Sequence, residues 1–142
     1  MKMMDRKNDD SNGGLGKRKN KGSKLPDHHD FLYHGRIMWR RSFKKRSAQS
    51  ELRDFIAYFG CSPFTCASLW ALMVRTGNVP HGGSMHKLLW TLLFFKTYSK
   101  ESVLCTLSGC KDPKTFRNTV WDFLHHISYL EPEVVSLIYL FV

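Results

Sequence analysis

Acidic residues are scarce in this 142-residue chain: 12 Asp and Glu stand against 22 Lys and Arg, for a formal net charge of +10. Asp54, Glu101, Asp112, Asp122, Glu131 and Glu133 are scattered at expected helix ends or on polar faces. No two of them form an obvious pair for acid–base or two-metal chemistry, so no catalytic residue is assigned and a free-standing enzyme is not expected. Long apolar runs are also missing. The longest, "LLWTLLFF" (88–95, interrupted by Thr91) and "VVSLIYLFV" (134–142), fall well short of the ~20 residues that cross a bilayer. The N-terminus is polar for thirty residues and carries no signal-peptide pattern, so a soluble intracellular chain without a membrane partner is expected. The four cysteines form two C-x4-C pairs, 61/66 and 105/110, with 38 residues between the pairs. Zinc knuckles use C-x2-C, so no metal site and no cofactor are expected, and the thiols read as reduced and structural. No convincing strand precedes residue 134, and no internal repeat is present.

What the chain does have is a basic first third. Residues 1–50 hold 14 Lys/Arg and 5 Asp/Glu, whereas residues 51–142 hold 8 and 7. Residues 1–30 are rich in Lys, Asn, Asp, Gly and Ser and have too few aliphatic side chains to offset the entropy of ordering them. Residues 1–49 are therefore read as a disordered basic arm. It contains "GKRKNKGSK" (16–24) and "RRSFKKR" (40–46), spaced as in a bipartite nuclear import signal. Arg40, Arg41, Lys44, Lys45 and Arg46 are candidate phosphate contacts. Between the clusters, "FLYHGRIMW" (31–39) interleaves aromatic and basic residues, a composition that suits nucleic acid or an anionic surface. A solubilising charge run is the alternative.

From residue 50 the signals are helical and well punctuated. "SELRDFIAYFG" (50–60) sets Leu52, Phe55, Ile56 and Phe59 on one stripe and stops at Gly60. "SPFTCASLWALMVRTG" (62–77) has Ser62 as N-cap, Pro63 at the first helical position and Gly77 past the end. After the loop "NVPHGG" (78–83), Ser84 opens "MHKLLWTLLFFKTY" (85–98), which is apolar on most of its circumference and should lie at the centre. Ser99 is expected to cap "KESVLCTLS" (100–108), with Glu101 near its positive end and Gly109 as its stop. Asp112 and Pro113 open a last helix that runs to about Leu130, before Pro132. The expected fold is a small all-α bundle of about five helices over 50–131, followed by an apolar tail at 132–142.

On a helical wheel, Phe116, Val120, Phe123, Leu124 and Ile127 share one face of the last helix. Burying five such side chains contributes on the order of 8–15 kcal/mol of transfer free energy before entropy is subtracted. Lys114, Arg117, Asn118, Trp121, His125 and Ser128 gather on the opposite side. With the helix before it, this one forms a helix-turn-helix-like pair. With Gly109 aligned as the ninth residue of the strict motif, Leu104 falls correctly at the fourth, but Thr115 and Asn118 fall where apolar residues belong. The turn is therefore about one residue longer than the strict form. In such a pair the second helix enters the major groove. Arg suits guanine, Asn suits adenine, and Lys suits guanine or phosphate. Lys114, Arg117, Asn118, Trp121 and His125 are the candidate DNA-binding residues, with double-stranded DNA as partner. A solvated polar face is the alternative. Ser128, one turn from His125, is a weak hint of a nucleophile pair.

"FGCSPFTCASLWALM" (59–73), "MHKLLWTLLFFKTYSKE" (85–101) and "GCKDPKTFRNTVWDFLHHISYLEPEVV" (109–135) together resemble the region ahead of the catalytic domain in PIF/Harbinger-type DDE transposases. The resemblance spans about residues 54–135. Its most specific pieces are Pro63 with Leu69 and Trp70, then Leu88, Leu89 and Trp90 with Lys96 and Tyr98, then Asp112 through Arg117 with Trp121. It implies a helix-turn-helix that helps hold transposon-end DNA in the nucleus. It also implies a downstream RNase H-like domain whose three carboxylates hold two Mg2+ ions. Nothing in this chain maps onto those carboxylates, since no acidic residue follows Glu133. Asn118-Thr119 and "SLIYLFV" depart from the family pattern, the latter as a frame change, intron read-through or degraded element would. The expectation is thus a DNA-binding fragment of a transposase without nuclease activity of its own, its outer helix face covered by the absent catalytic domain. A non-catalytic protein-interaction module and an inert transposon remnant are the alternatives.

Overall fold

The computed structural model describes residues 24–39 and 47–133. Six helices lie wholly among them: α1 (His28–Trp39), α2 (Ala48–Phe59), α3 (Pro63–Arg75), α4 (Met85–Thr97), α5 (Glu101–Ser108) and α6 (Pro113–Ser128), and residues 131–133 are helical as well. The described residues contain no strand, and the all-α expectation holds. The segments 1–23, 40–46 and 134–142 lie outside the described residues, and with them the second basic cluster, all of the first but Lys24, and most of the apolar tail.

Most helix boundaries follow from local chemistry. The Ser62 hydroxyl accepts from the Thr65 amide at 3.1 Å, and Pro63 occupies the first turn of α3. The Asp112 carboxylate accepts from the Lys114 and Thr115 amides at 3.3 and 3.0 Å and from the Thr115 hydroxyl at 2.8 Å. These bonds to its ionised form hold the Asp112 carboxyl below its ordinary range. Gly60 and Gly109 end α2 and α5 in the left-handed region. The start of α5 departs from expectation. Ser99 does not cap it; Lys100 stands at the N-cap position and offers no side-chain bond. The chain leaves α4 through Tyr98 at φ +47°, the one non-glycine residue with positive φ among those described. That left-handed exit shifts the start of α5 by a residue and carries Ser99 out of register with the helix amides.

The basic arm is shorter than the sequence suggested. Residues 28–39 form a helix whose Phe31 and Met38 are buried in the common core, so they are unavailable to a nucleic acid. The start of α1 is a reciprocal capping box. Asp27 accepts from the His29 and Asp30 amides, and the Asp30 carboxylate accepts from the Asp27 amide at 2.8 Å. Gly35 lies where α1 crosses α2: a Cβ there would stand 2.7 Å from the Phe55 ring. The glycine therefore sets how closely the two helices approach. An ion pair between Arg36 and Glu51 ties them further along.

α4 is the hub. It packs against α1, α2, α5 and, most extensively, α6. Leu88, Leu89 and Leu93 are fully buried, as is Thr91, whose hydroxyl donates to the Lys87 carbonyl at 3.0 Å. On α2, Phe55 and Phe59 point inward as expected, but Ile56 is exposed. The stripe is narrower than the wheel implied: α1 closes over Phe55 and Phe59 at Gly35, and Ile56 lies outside that contact. The cysteines are free: the Cys61 and Cys66 sulfurs lie 3.5 Å apart in a thiol hydrogen bond, and that bond first and burial second push the Cys66 thiol pKa up.

Replacing Phe31 with Ala leaves a cavity between α1 and the core and should cost about 3–5 kcal/mol, read as a lowered urea midpoint. An arm lying free of the core would show no change. A second outcome concerns pH. His86, on α4, has its pKa depressed by burial first and by the neighbouring His34 ring second, the two rings 4.0 Å apart. The folded state therefore binds this proton less readily than the unfolded chain does. Stability rises with pH through the window below the ordinary histidine value of about 6.5, and this contribution is lost as pH falls through it. Urea midpoints at pH 5 and pH 7.5 should differ in that direction, and His86→Gln should shrink the difference.

Candidate nucleic-acid interface

α5 and α6 are joined by the turn at 109–112 and pack against each other. Leu104 of α5 and Phe116, Val120 and Phe123 of α6 are buried, while Leu124 and Ile127 are half-buried against the same core. Trp90 of α4 stacks on Phe116 with ring centroids 5.8 Å apart, which fixes the depth at which α6 sits. The opposite face is open: Lys114, Arg117, Asn118, Trp121, His125 and Ser128 are all exposed. Trp121 is 60% exposed, so its ring is available rather than merely at the edge of the core.

Exposure does not make these side chains equivalent. Arg117 is occupied. Its Nε donates to Glu101 Oε1 at 2.6 Å and its Nη2 to Glu101 Oε2 at 2.5 Å, a bidentate bridge from α6 to the first residue of α5. The Arg117 guanidinium holds the Glu101 carboxyl below its ordinary range, and the carboxylate raises Arg117 further. Reading Arg117 from sequence as a free guanine ligand overlooked this partner. The signal was nevertheless present: Glu101 opens the helix that lies across the turn from Arg117, sixteen residues away.

Toward the C-terminal end, Trp121, His125 and Tyr129 succeed one another at i, i+4 and i+8 and form a ridge. The Tyr129 hydroxyl lies 3.0 Å from His125 Nε2, with the rings edge to face at 4.9 Å. Tyr129 is 57% exposed and was not among the residues singled out from the sequence, although its spacing from His125 was readable. Ser128 is not a nucleophile paired with His125; its hydroxyl donates to the His125 backbone carbonyl at 2.6 Å. His126 turns its Nδ1 to the Asp122 carbonyl at 2.8 Å.

Arg40, Arg41, Lys44, Lys45 and Arg46 fall outside the described residues. The segment that carries them joins Trp39 at the end of α1 to Ser47, the N-cap of α2, and the Arg36–Glu51 pair ties those two helices together nearby. Among the described residues, no three His, Cys, Asp or Glu side chains converge on a metal-sized site. Nor is any single described helix long and apolar enough to cross a membrane. No family model, curated protein or solved structure matches this chain.

Trp121→Ala should change the urea midpoint by an amount equivalent to less than about 0.5 kcal/mol, because the ring contributes little to the core. Phe116→Ala, one helical turn away on the inner face, should cost about 3–5 kcal/mol. Equal losses would mean that the outer face is a packing face.

Proposed function

We propose that the chain binds double-stranded DNA, as the helical region ahead of the catalytic domain is expected to do in PIF/Harbinger-type transposases, and that it has no nuclease activity of its own. The observation that carries this reading is the division of α6. One side is committed to the core through Phe116, Val120 and Phe123, and the other offers Lys114, Asn118, Trp121 and His125 on a helix that follows a short turn. A helix so presented fits the major groove, where Asn pairs with an adenine edge and Lys with guanine or phosphate.

Phosphate attraction has to come largely from elsewhere in the chain. Residues 51–142 carry 8 Lys/Arg against 7 Asp/Glu, so the helical part is close to neutral. On this reading most of the non-specific affinity comes from residues 1–50, where the excess of Lys and Arg lies, and the sequence-dependent contacts come from α6. A nuclear location follows from this reading, and no cofactor is required for it. The chain then acts as a holding module or as a remnant of a transposable element, and Mg2+-dependent phosphoryl transfer belongs to a domain that these residues do not form.

A second reading, a protein-interaction module, is favoured by one observation: Trp121 and Tyr129 are large, exposed and on one ridge of α6. Titration of a fluorescent 30-base-pair duplex separates the two. DNA binding predicts an affinity that falls steeply with salt. Changing Arg40, Arg41, Lys44, Lys45 and Arg46 to Gln should flatten the logarithmic salt slope by up to about 4.5, at about 0.9 per phosphate contact. A salt-independent association, or concentration-dependent self-association lost in Trp121→Ala, would favour the protein partner.

A further inference from the structure

The Glu101–Arg117 bridge has a consequence for how α6 meets DNA, and it rests on the DNA-binding reading above. Arg117 is the one arginine on α6, and it stands four residues past Pro113, in the segment of a second helix that approaches base edges. The guanidinium edge carrying Nε and Nη2 is filled by the two Glu101 oxygens at 2.6 and 2.5 Å. Such a planar two-point match is also the geometry by which Arg takes a guanine edge or a phosphate. Carboxylate and DNA therefore compete for the same donors.

The neighbouring acid cannot replace Glu101. The Asp112 carboxylate is already committed to the amides of Lys114 and Thr115 and to the Thr115 hydroxyl. Nor is the bridge sealed: the Arg117 and Glu101 side chains are 53% and 33% exposed, so an incoming anion has access to both. A bridge open to water contributes little to holding α6 in place, a task that Phe116, Val120 and Phe123 perform from the other face. Its larger effect falls on what Arg117 is free to bind.

We propose that Glu101 is a specificity-determining residue that keeps Arg117 out of non-specific complexes. On random duplex, where α6 has no base-edge register, exchanging Glu101 for a phosphate gives Arg117 one anion for another and leaves the Glu101 carboxylate unpaired beside a polyanion. Arg117 stays on Glu101 and releases no counterion. In a register where Lys114 and Asn118 also find their partners, the added contacts offset the exposed carboxylate, and Arg117 transfers to the base edge.

The test is a double-mutant cycle on the full chain: wild type, Glu101→Gln, Arg117→Gln and the combined variant. Binding to a random-sequence 30-base-pair duplex is measured by fluorescence anisotropy across a salt series. Arg117→Gln alone should leave the salt slope unchanged, because Arg117 contacts no phosphate there, while the affinity falls slightly through the Glu101 carboxylate it leaves unpaired. Glu101→Gln should steepen the slope by about 0.9, the value of one added phosphate contact, and Arg117→Gln in that background should abolish the gain. Arg117→Lys, which keeps the charge but cannot fill the fork, should steepen the slope without any change at Glu101. Two results overturn the proposal: a flatter slope for Arg117→Gln alone, or a gain in Glu101→Gln that survives removal of Arg117 and so marks Glu101 as a simple repelling charge. Absence of salt-sensitive binding by all of the proteins overturns the DNA-binding reading itself, and is distinguishable because the slope is then near zero throughout.

Discussion

A helix with almost no polar side has to be covered on every side, and α4 imposes that condition on the whole bundle. Leu88, Leu89 and Leu93 cannot all face one partner, because they fall on different flanks of the same two turns. α1, α2, α5 and α6 are each placed against it. α6 takes the largest share, and it does so with a stripe that occupies only part of its own circumference. The polar face of α6 points outward because its apolar face is needed inward. The candidate interface thus depends on a packing demand that arises in a different helix.

The local signals for that arrangement were legible. Ser62 with Pro63, Ser84, and Asp112 with Pro113 fixed three helix starts, and Gly60 and Gly109 fixed two ends. The inner residues of α6 could be picked from their spacing. The failures have separate causes. Helix α1 was hidden because its apolar residues, of which Phe31 and Met38 are buried, sit among histidines and next to charge runs, so the flanking composition pointed to an arm. Its capping box, "DHHD" at 27–30, was nevertheless readable. Ser99 was a sound candidate cap by type, but the left-handed turn at Tyr98 depends on how α4 ends and cannot be read from propensity. Ile56 kept the right spacing yet missed the core, because coverage is decided by the neighbour and not by the wheel.

The site was legible in the same uneven way. A wheel establishes which side chains leave the core, and for α6 it was right about all six outward residues. It does not establish what those side chains already hold. Arg117 and Lys114 are both exposed and both cationic, but only Arg117 meets a carboxylate from another helix with both arms of its fork. The His125–Ser128 pairing failed for a related reason. At three residues' spacing on a helix, a serine hydroxyl returns to a backbone carbonyl more readily than it reaches a ring.

Charge and shape are separated along this chain, and the separation constrains how any polyanion is engaged. The helical part is close to neutral, and two of its arginines, Arg36 and Arg117, are each paired with a glutamate. On the DNA-binding reading proposed above, attraction at distance falls to the basic clusters of residues 1–50, and discrimination at contact falls to the face of α6. A protein that used one surface for both would have to strengthen random binding in order to strengthen specific binding, since every added cation serves both. With the cations apart, the contact face keeps few free charges. On that reading, a carboxylate on the neighbouring helix would limit non-specific binding, because it occupies the one arginine of α6, whose fork phosphate would otherwise take.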